Sequence, residues 1–176
     1  MKRLALTLLA AGVAFAASAQ ELLEGYTCCN LHYEKDWISD ANWGTFAMIP
    51  AGARIKVLSY GSNRAAVEID GKPMRIGHDY GRGEESLERY LSKIVVKANP
   101  KAKLDRYPAK VRGAIQQGKV LPGMTREQVL MSVGYPPTHK TPRLDSSVWS
   151  HWASRAGRYE VHWNGKGTVD KVVGLR

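Results

Sequence analysis

Between Phe46 and His78 the chain alternates with a period of two. Ile55, Val57 and Ser59 share one face while Lys56, Leu58 and Tyr60 share the other, and Gly61-Ser62-Asn63 then turns the chain. Ala65, Val67 and Ile69 alternate with Arg64, Ala66 and Glu68, and Met74, Ile76 and His78 fall on one face of the next segment. This period predicts half-buried strands. Asp70-Gly71 between two of them is the pair that favours a two-residue hairpin. Three or four short strands with tight turns predict a small antiparallel barrel, because closure removes exposed edges. The period changes at Glu84. Leu87, Tyr90, Leu91 and Ile94 sit at helical spacing behind Glu84, Glu85 and Glu88, acids that the positive end of a helix favours, and Ile94–Val96 predicts a returning strand. Upstream, Glu21–Thr45 shows no sustained period, and its Trp37 and Trp43 predict packing against something.

The last third carries helix signals followed by strand signals. Tyr107-Pro108 opens a helix with the apolar stripe Val111, Ala114 and Ile115, and Gly118 stops it. Thr125 is a good N-cap, Gln128 completes the reciprocal capping pattern, and Met124 and Val129 are placed as a hydrophobic staple. Gly134 and Pro136-Pro137 end that helix. Val148–Ala153, Tyr159–Trp163 and Val169–Val173 predict three strands, with Asn164-Gly165 as a turn. Trp149 and Trp152 differ in parity, so a regular strand sends them to opposite faces and one of them outward. An outward Trp beside Arg143, Arg155 and Arg158 has the composition of an interaction hot spot.

These signals divide the chain into a leader at 1–19, a first unit at 20–96, a linker at 97–106 and a second unit at 107–176. The leader reading rests on Lys2 and Arg3, the apolar run Leu4–Ala17 and the small-x-small site Ala17-Ser18-Ala19. The run is shorter than the roughly 20 apolar residues a spanning helix needs, so no transmembrane segment is expected. Cys28 lies too far from that run, behind Glu24-Gly25-Tyr26-Thr27, to be a lipidation site. The expected protein is exported and periplasmic, peripheral at most to the outer membrane.

Two resemblances sharpen this picture. Ile49-Pro50-Ala51-Gly52, followed by a hairpin, resembles bacterial SH3-like modules over about Thr45–His78. Gly123-Met124-Thr125, Gln128-Val129, the Gly134-x-Pro136 close, Trp149-x-x-Trp152 and Tyr159–Trp163 together resemble the SmpA/OmlA family of small outer-membrane assembly lipoproteins. That resemblance implies two helices on a three-stranded antiparallel sheet, no catalysis, and binding to envelope proteins or anionic lipid. The family's lipidated cysteine has no counterpart here, so the resemblance implies a shared fold and a related mode of action. The expected fold class is therefore α+β, an SH3-like barrel followed by a two-helix, three-strand domain.

Charge changes little. The formal charge of +10 falls to +8 when Lys2 and Arg3 leave with the leader. This excess suits acidic partners, but the basic residues form no block, and an export signal argues against nucleic acid. The chemistry candidates are few. Cys28-Cys29 reads as a disulfide, as free or intermolecular thiols, or, with His32 and only His78 as a fourth ligand, as a metal or redox site. His151 and His162 on neighbouring strands make a weak metal pair. Ser146, Asp145 and His151 lack a nucleophile elbow, and Gly81-Arg82-Gly83 lacks the third glycine of a dinucleotide loop. The expected function is non-enzymatic envelope binding or scaffolding without cofactor or metal, with outer-membrane assembly subunits as partners. Peptidoglycan binding and inhibition of a periplasmic enzyme are the alternatives, and a metal or redox role at Cys28-Cys29 is third.

Overall fold

The computed structural model of the chain describes residues 22–174. The leader expected at 1–19 lies outside them.

The stretch without a sequence period supplies three strands, β1 (Glu24–Thr27), β2 (Leu31–Glu34) and β3 (Trp37–Ser39). They join β4 (Ala47–Ile49), β5 (Arg54–Tyr60), β6 (Arg64–Ile69), β7 (Lys72–Gly77) and, after helix α1 (Leu87–Ile94), β8 (Val95–Val96). These eight form one mixed sheet in the order β4-β2-β3-β7-β6-β5-β1-β8. The fold class expected from the sequence is thereby corrected. In place of a small SH3-like barrel ahead of a two-helix domain stands a large eight-stranded sheet, accompanied by a separate three-stranded sheet and four short helices among the described residues. The physical cause is non-local pairing. Strand β3 lies parallel to β7, with Ile38 opposite Ile76, and β1 runs antiparallel to both β5 and β8. No turn residue announces partners so far apart in sequence.

Where a local signal exists, geometry follows it. Asp70 and Gly71 both take positive φ, 47° and 78°, and join β6 to β7 with Ile69 opposite Lys72. The β2–β3 turn instead places Lys35 at φ 60°, a residue that carries no turn signal. The buried faces of these strands and α1 enclose one core, with Leu31, Ile38, Ile55, Val57, Val67, Ile76, Leu87 and Leu91 in it.

A second core lies beyond. Helix α2 (Lys101–Leu104) contributes Leu104, and α3 (Ala109–Gln116) and α4 (Arg126–Val133) cover the sheet of β9 (Val148–Trp152), β10 (Arg158–Trp163) and β11 (Val169–Val173). The sheet order is β11-β10-β9, antiparallel throughout. Helix α4 begins with a full capping box: the Gln128 amide donates to the Thr125 hydroxyl at 3.3 Å, and the Gln128 side chain accepts from Thr125 N at 2.9 Å. Met124 and Val129 beside it are 1% and 0% exposed. Thr125→Ala removes the acceptor for that amide and is expected to cost about 1 kcal/mol. A urea midpoint that does not move would contradict this account of how α4 starts.

Candidate binding surface

Two buried asparagines join the cores. Helices α3 and α4 end with carbonyls that have no intrahelical partner, and the N-terminal third of the chain supplies the donors. Asn30 donates from Nδ2 to Ile115 O at 2.6 Å and to Ser132 O at 2.9 Å, and from its own amide to Met131 O at 3.0 Å. Its Oδ1 accepts from Ala51 N. Asn42 donates to Asn30 O at 3.0 Å and Val133 O at 2.9 Å, while its Oδ1 accepts from His32 N at 2.7 Å. Asn42 holds φ 46°, a conformation asparagine tolerates better than most residues. The seam continues where Gly44 N donates to Trp152 O and Thr45 N to Ala153 O, at 3.3 and 2.8 Å.

Across this seam runs a strip of five aromatic rings. Phe46 meets Trp43 at 5.7 Å, Trp43 meets Tyr80 at 6.0 Å, Tyr80 meets His139 at 5.9 Å, and His139 meets Trp152 at 5.6 Å. Tyr80 is 47% exposed and the other four are half-buried. The Arg155 guanidinium sits 5.5 Å from the Trp43 ring and 5.6 Å from Phe46, and pairs with Glu34 at 2.5 Å. Arg158 lies directly across the ladder from Trp152, so the two share the outer face of the three-stranded sheet.

Four of the rings come from loops, and one close approach brings two of these loops together. A Cβ at Gly81 would meet Thr138 Oγ1 at 2.4 Å and His78 Cε1 at 2.7 Å, so only glycine lets the loop after β7 lie against the loop after α4. Thr138 donates its hydroxyl to Gly81 O there. The Tyr80–Gly81 loop is anchored from below. Asp40 accepts from Tyr80 N at 3.1 Å and from Gly81 N at 2.8 Å. Its Oδ2 also lies 3.0 Å from His78 Nδ1, an ion pair when the ring is protonated. His78 Nε2 contacts Glu85 O at 3.0 Å, and the ring stacks on Tyr90 at 4.8 Å. Burial alone would lower the His78 pKa. The Asp40 carboxylate and the Glu85 carbonyl outweigh it and raise the pKa above the ordinary value.

The residues singled out from the sequence fall as follows. Trp152 ends the strip with Arg158 opposite it on β10, and Arg155 stacks on Trp43 and Phe46 at the other end. Trp149 belongs to the core: it is 0% exposed, packs edge-on against Trp163 at 4.6 Å and donates Nε1–H to Leu144 O. It offers no contact surface, whatever its neighbour Trp152 does. Arg143 is engaged with Asp145 and stacks on no ring among the described residues. Cys28 and Cys29 are joined to each other as a disulfide, Cys29 fully buried and Cys28 on the wall of a cleft of about 610 Å³ with Tyr135, Lys103 and Arg106. His32 and His78 do not gather around the sulfurs, and no cluster of three metal-binding side chains occurs among the described residues. His151 faces the second core, where burial pushes its pKa down to about 3, while His162 is on the opposite face beside Glu160. Phe46, Tyr80 and His139 have no counterpart in the sequence reading. Their only signal was an aromatic in a loop, within two residues of a glycine or proline.

No helix among the described residues is long and apolar enough to cross a membrane. Comparison with known proteins matches the chain to no protein-family model, no curated protein and no solved structure.

Proposed function

We propose that this chain is a non-enzymatic binding protein of the bacterial cell envelope, exported and periplasmic, that grips another protein through the aromatic strip over its seam. The observation that carries this reading is the strip itself, five rings with a guanidinium at one end, half-exposed across the two cores. Aromatic and Arg side chains that are already held by neighbours lose little freedom on binding and dominate hot spots. The resemblance of the C-terminal residues to the SmpA/OmlA family supports an outer-membrane assembly partner, and the formal excess of basic residues suits an acidic or anionic one.

The test is a photoreactive residue at position 80 or 152 of the full chain in intact cells. Protein adducts at both positions are expected, with envelope assembly subunits among them. Cell-wall fragments as the sole adducts would replace the protein partner by glycan, and silence at both positions would end the reading. A periplasmic hydrolase as sole adduct would make the chain an inhibitor. Arg155 gives a quantitative check. Its ion pair is exposed at both ends and contributes little to stability. Arg155→Ala together with Trp152→Ala is expected to weaken the captured complex by 30-fold or more, about 2 kcal/mol. Arg155→Ala alone should leave the unfolding midpoint unchanged.

A further inference from the structure

Beside the strip a cavity of about 400 Å³ opens between the two cores. Its volume is at the lower end of the range of about 300–1,000 Å³ found for small-molecule sites, room for one ring with a short substituent. Val120, Leu121, Val133 and Ala153 line it with apolar surface, and Trp152 and Tyr159 contribute to its wall. Gly118, at φ 64°, closes the end of α3 with no side chain. A Cβ there would lie 3.6 Å from His32 Nε2 and 3.5 Å from Met48 Sδ.

One polar group in this wall keeps a nitrogen free for a ligand. His32 is 5% exposed; its Nδ1 is cut off from solvent, and its Nε2, beside Gly118, has no hydrogen-bond partner among the described residues. Burial lowers the His32 pKa, against a smaller opposing side-chain hydrogen bond with Asn42, so the ring is held neutral. Both hydrogens of the Asn42 amide are engaged by the carbonyls of Asn30 and Val133, so Asn42 can only accept from the ring, which puts the N–H on Nδ1 and leaves the lone pair on Nε2. Thr45 and Lys119 also line the cavity, both exposed, and much of the remaining wall is apolar. A ring hydroxyl in that space donates to Nε2 while its carbon skeleton covers the apolar wall.

We propose that this cavity binds a phenolic ring, with its hydroxyl against the His32 imidazole and its carbon skeleton against Val120, Leu121 and Val133. The ring could arrive as a free small phenol or as the tyrosine side chain of a partner polypeptide. The inference rests on the seam being a binding surface, but it concerns the cavity and not the strip.

The probes are p-cresol, toluene and N-acetyl-tyrosinamide, titrated into the full chain and followed by the amide and methyl NMR shifts of the cavity residues. Binding of p-cresol is expected at least ten-fold tighter than binding of toluene. His32→Leu should erase that difference, and Val120→Phe should abolish both by filling the space. Tighter binding of N-acetyl-tyrosinamide than of p-cresol points to a tyrosine-bearing partner, and its exclusion to a free phenol. Equal binding of toluene and p-cresol to the native chain, or no response to p-cresol, overturns the proposal. If His32→Leu fails to fold, the toluene comparison and Val120→Phe still decide. Failure here with adducts at positions 80 and 152 would remove the cavity and leave the strip. The reverse result would remove the strip alone.

Discussion

Asn42→Asp should lower the stability of the whole chain by about 4 kcal/mol, the largest effect expected of any isosteric change in it. Aspartate keeps the shape of asparagine and tolerates the same left-handed backbone, so neither packing nor the φ of 46° is disturbed. What changes is polarity. The two donations to Asn30 O and Val133 O become contacts between acceptors, in a site where Asn42 is only 7% exposed. Ionised, the side chain faces two carbonyls. Protonated, it can satisfy at most one of them. The five Trp residues of the chain give a fluorescence signal for urea unfolding. A fall in midpoint without a change in slope is expected if both cores melt together. Two separate transitions would show that the asparagines are what couples the cores. A loss below about 1 kcal/mol would mean that water replaces the lost donors and the seam is weaker than its geometry.

Asp40→Asn should cost about 3 kcal/mol near pH 6, with a pH dependence that identifies the cause. Asp40 and His78 side chains are each 2% exposed, so their pairing takes place away from solvent. The raised pKa of His78 fixes the sign. A histidine that binds its proton more tightly when folded adds stability that is fully present below the unfolded pKa of about 6.5 and is lost as pH rises through the folded value. The gap between native chain and Asp40→Asn should therefore be widest at mildly acid pH and shrink above neutrality. His32 and His151, whose pKa values are lowered, act oppositely and lose stability as pH falls below about 6.5. They are present in both proteins and cancel from the difference to first order. A gap that widens with pH would show that His78 is neutral in the folded chain. Asparagine keeps one acceptor for the amides of Tyr80 and Gly81, so the loop that carries Tyr80 into the strip should loosen without being lost.

Both residues lie in the stretch where sequence periodicity said least. Strands β1, β2 and β3 are three or four residues long, too short for an alternation to be distinguished from chance. Asn42 and Asp40 lie between strands, where composition reads as loop, yet both are buried and fully committed to backbone groups far along the chain. A polar residue in a loop reads the same whether it faces water or caps a distant helix.

The sequence by itself determined the local elements whose causes are local. The Thr125–Gln128 capping box is a reciprocal bond between residues three apart, and Asp70-Gly71 is a turn made by its own two residues. Parity alone separated Trp149 from Trp152, since neighbours on a strand must alternate. Which of the two faced outward depended on where α3 and α4 lay, and packing decided it: Trp149 meets Trp163 in the core, and Trp152 meets His139 at the seam. The eight-stranded sheet likewise came from pairings such as β3 with β7, whose energy is gained only after a long loop has closed and which leave no trace in neighbouring residues. The strip and the cavity have the same origin. Phe46, Tyr80, His139 and Trp152 are distant in sequence and acquire a common surface because two cores are held together by the side chains of Asn30 and Asn42 and by the backbone bonds of Gly44 and Thr45.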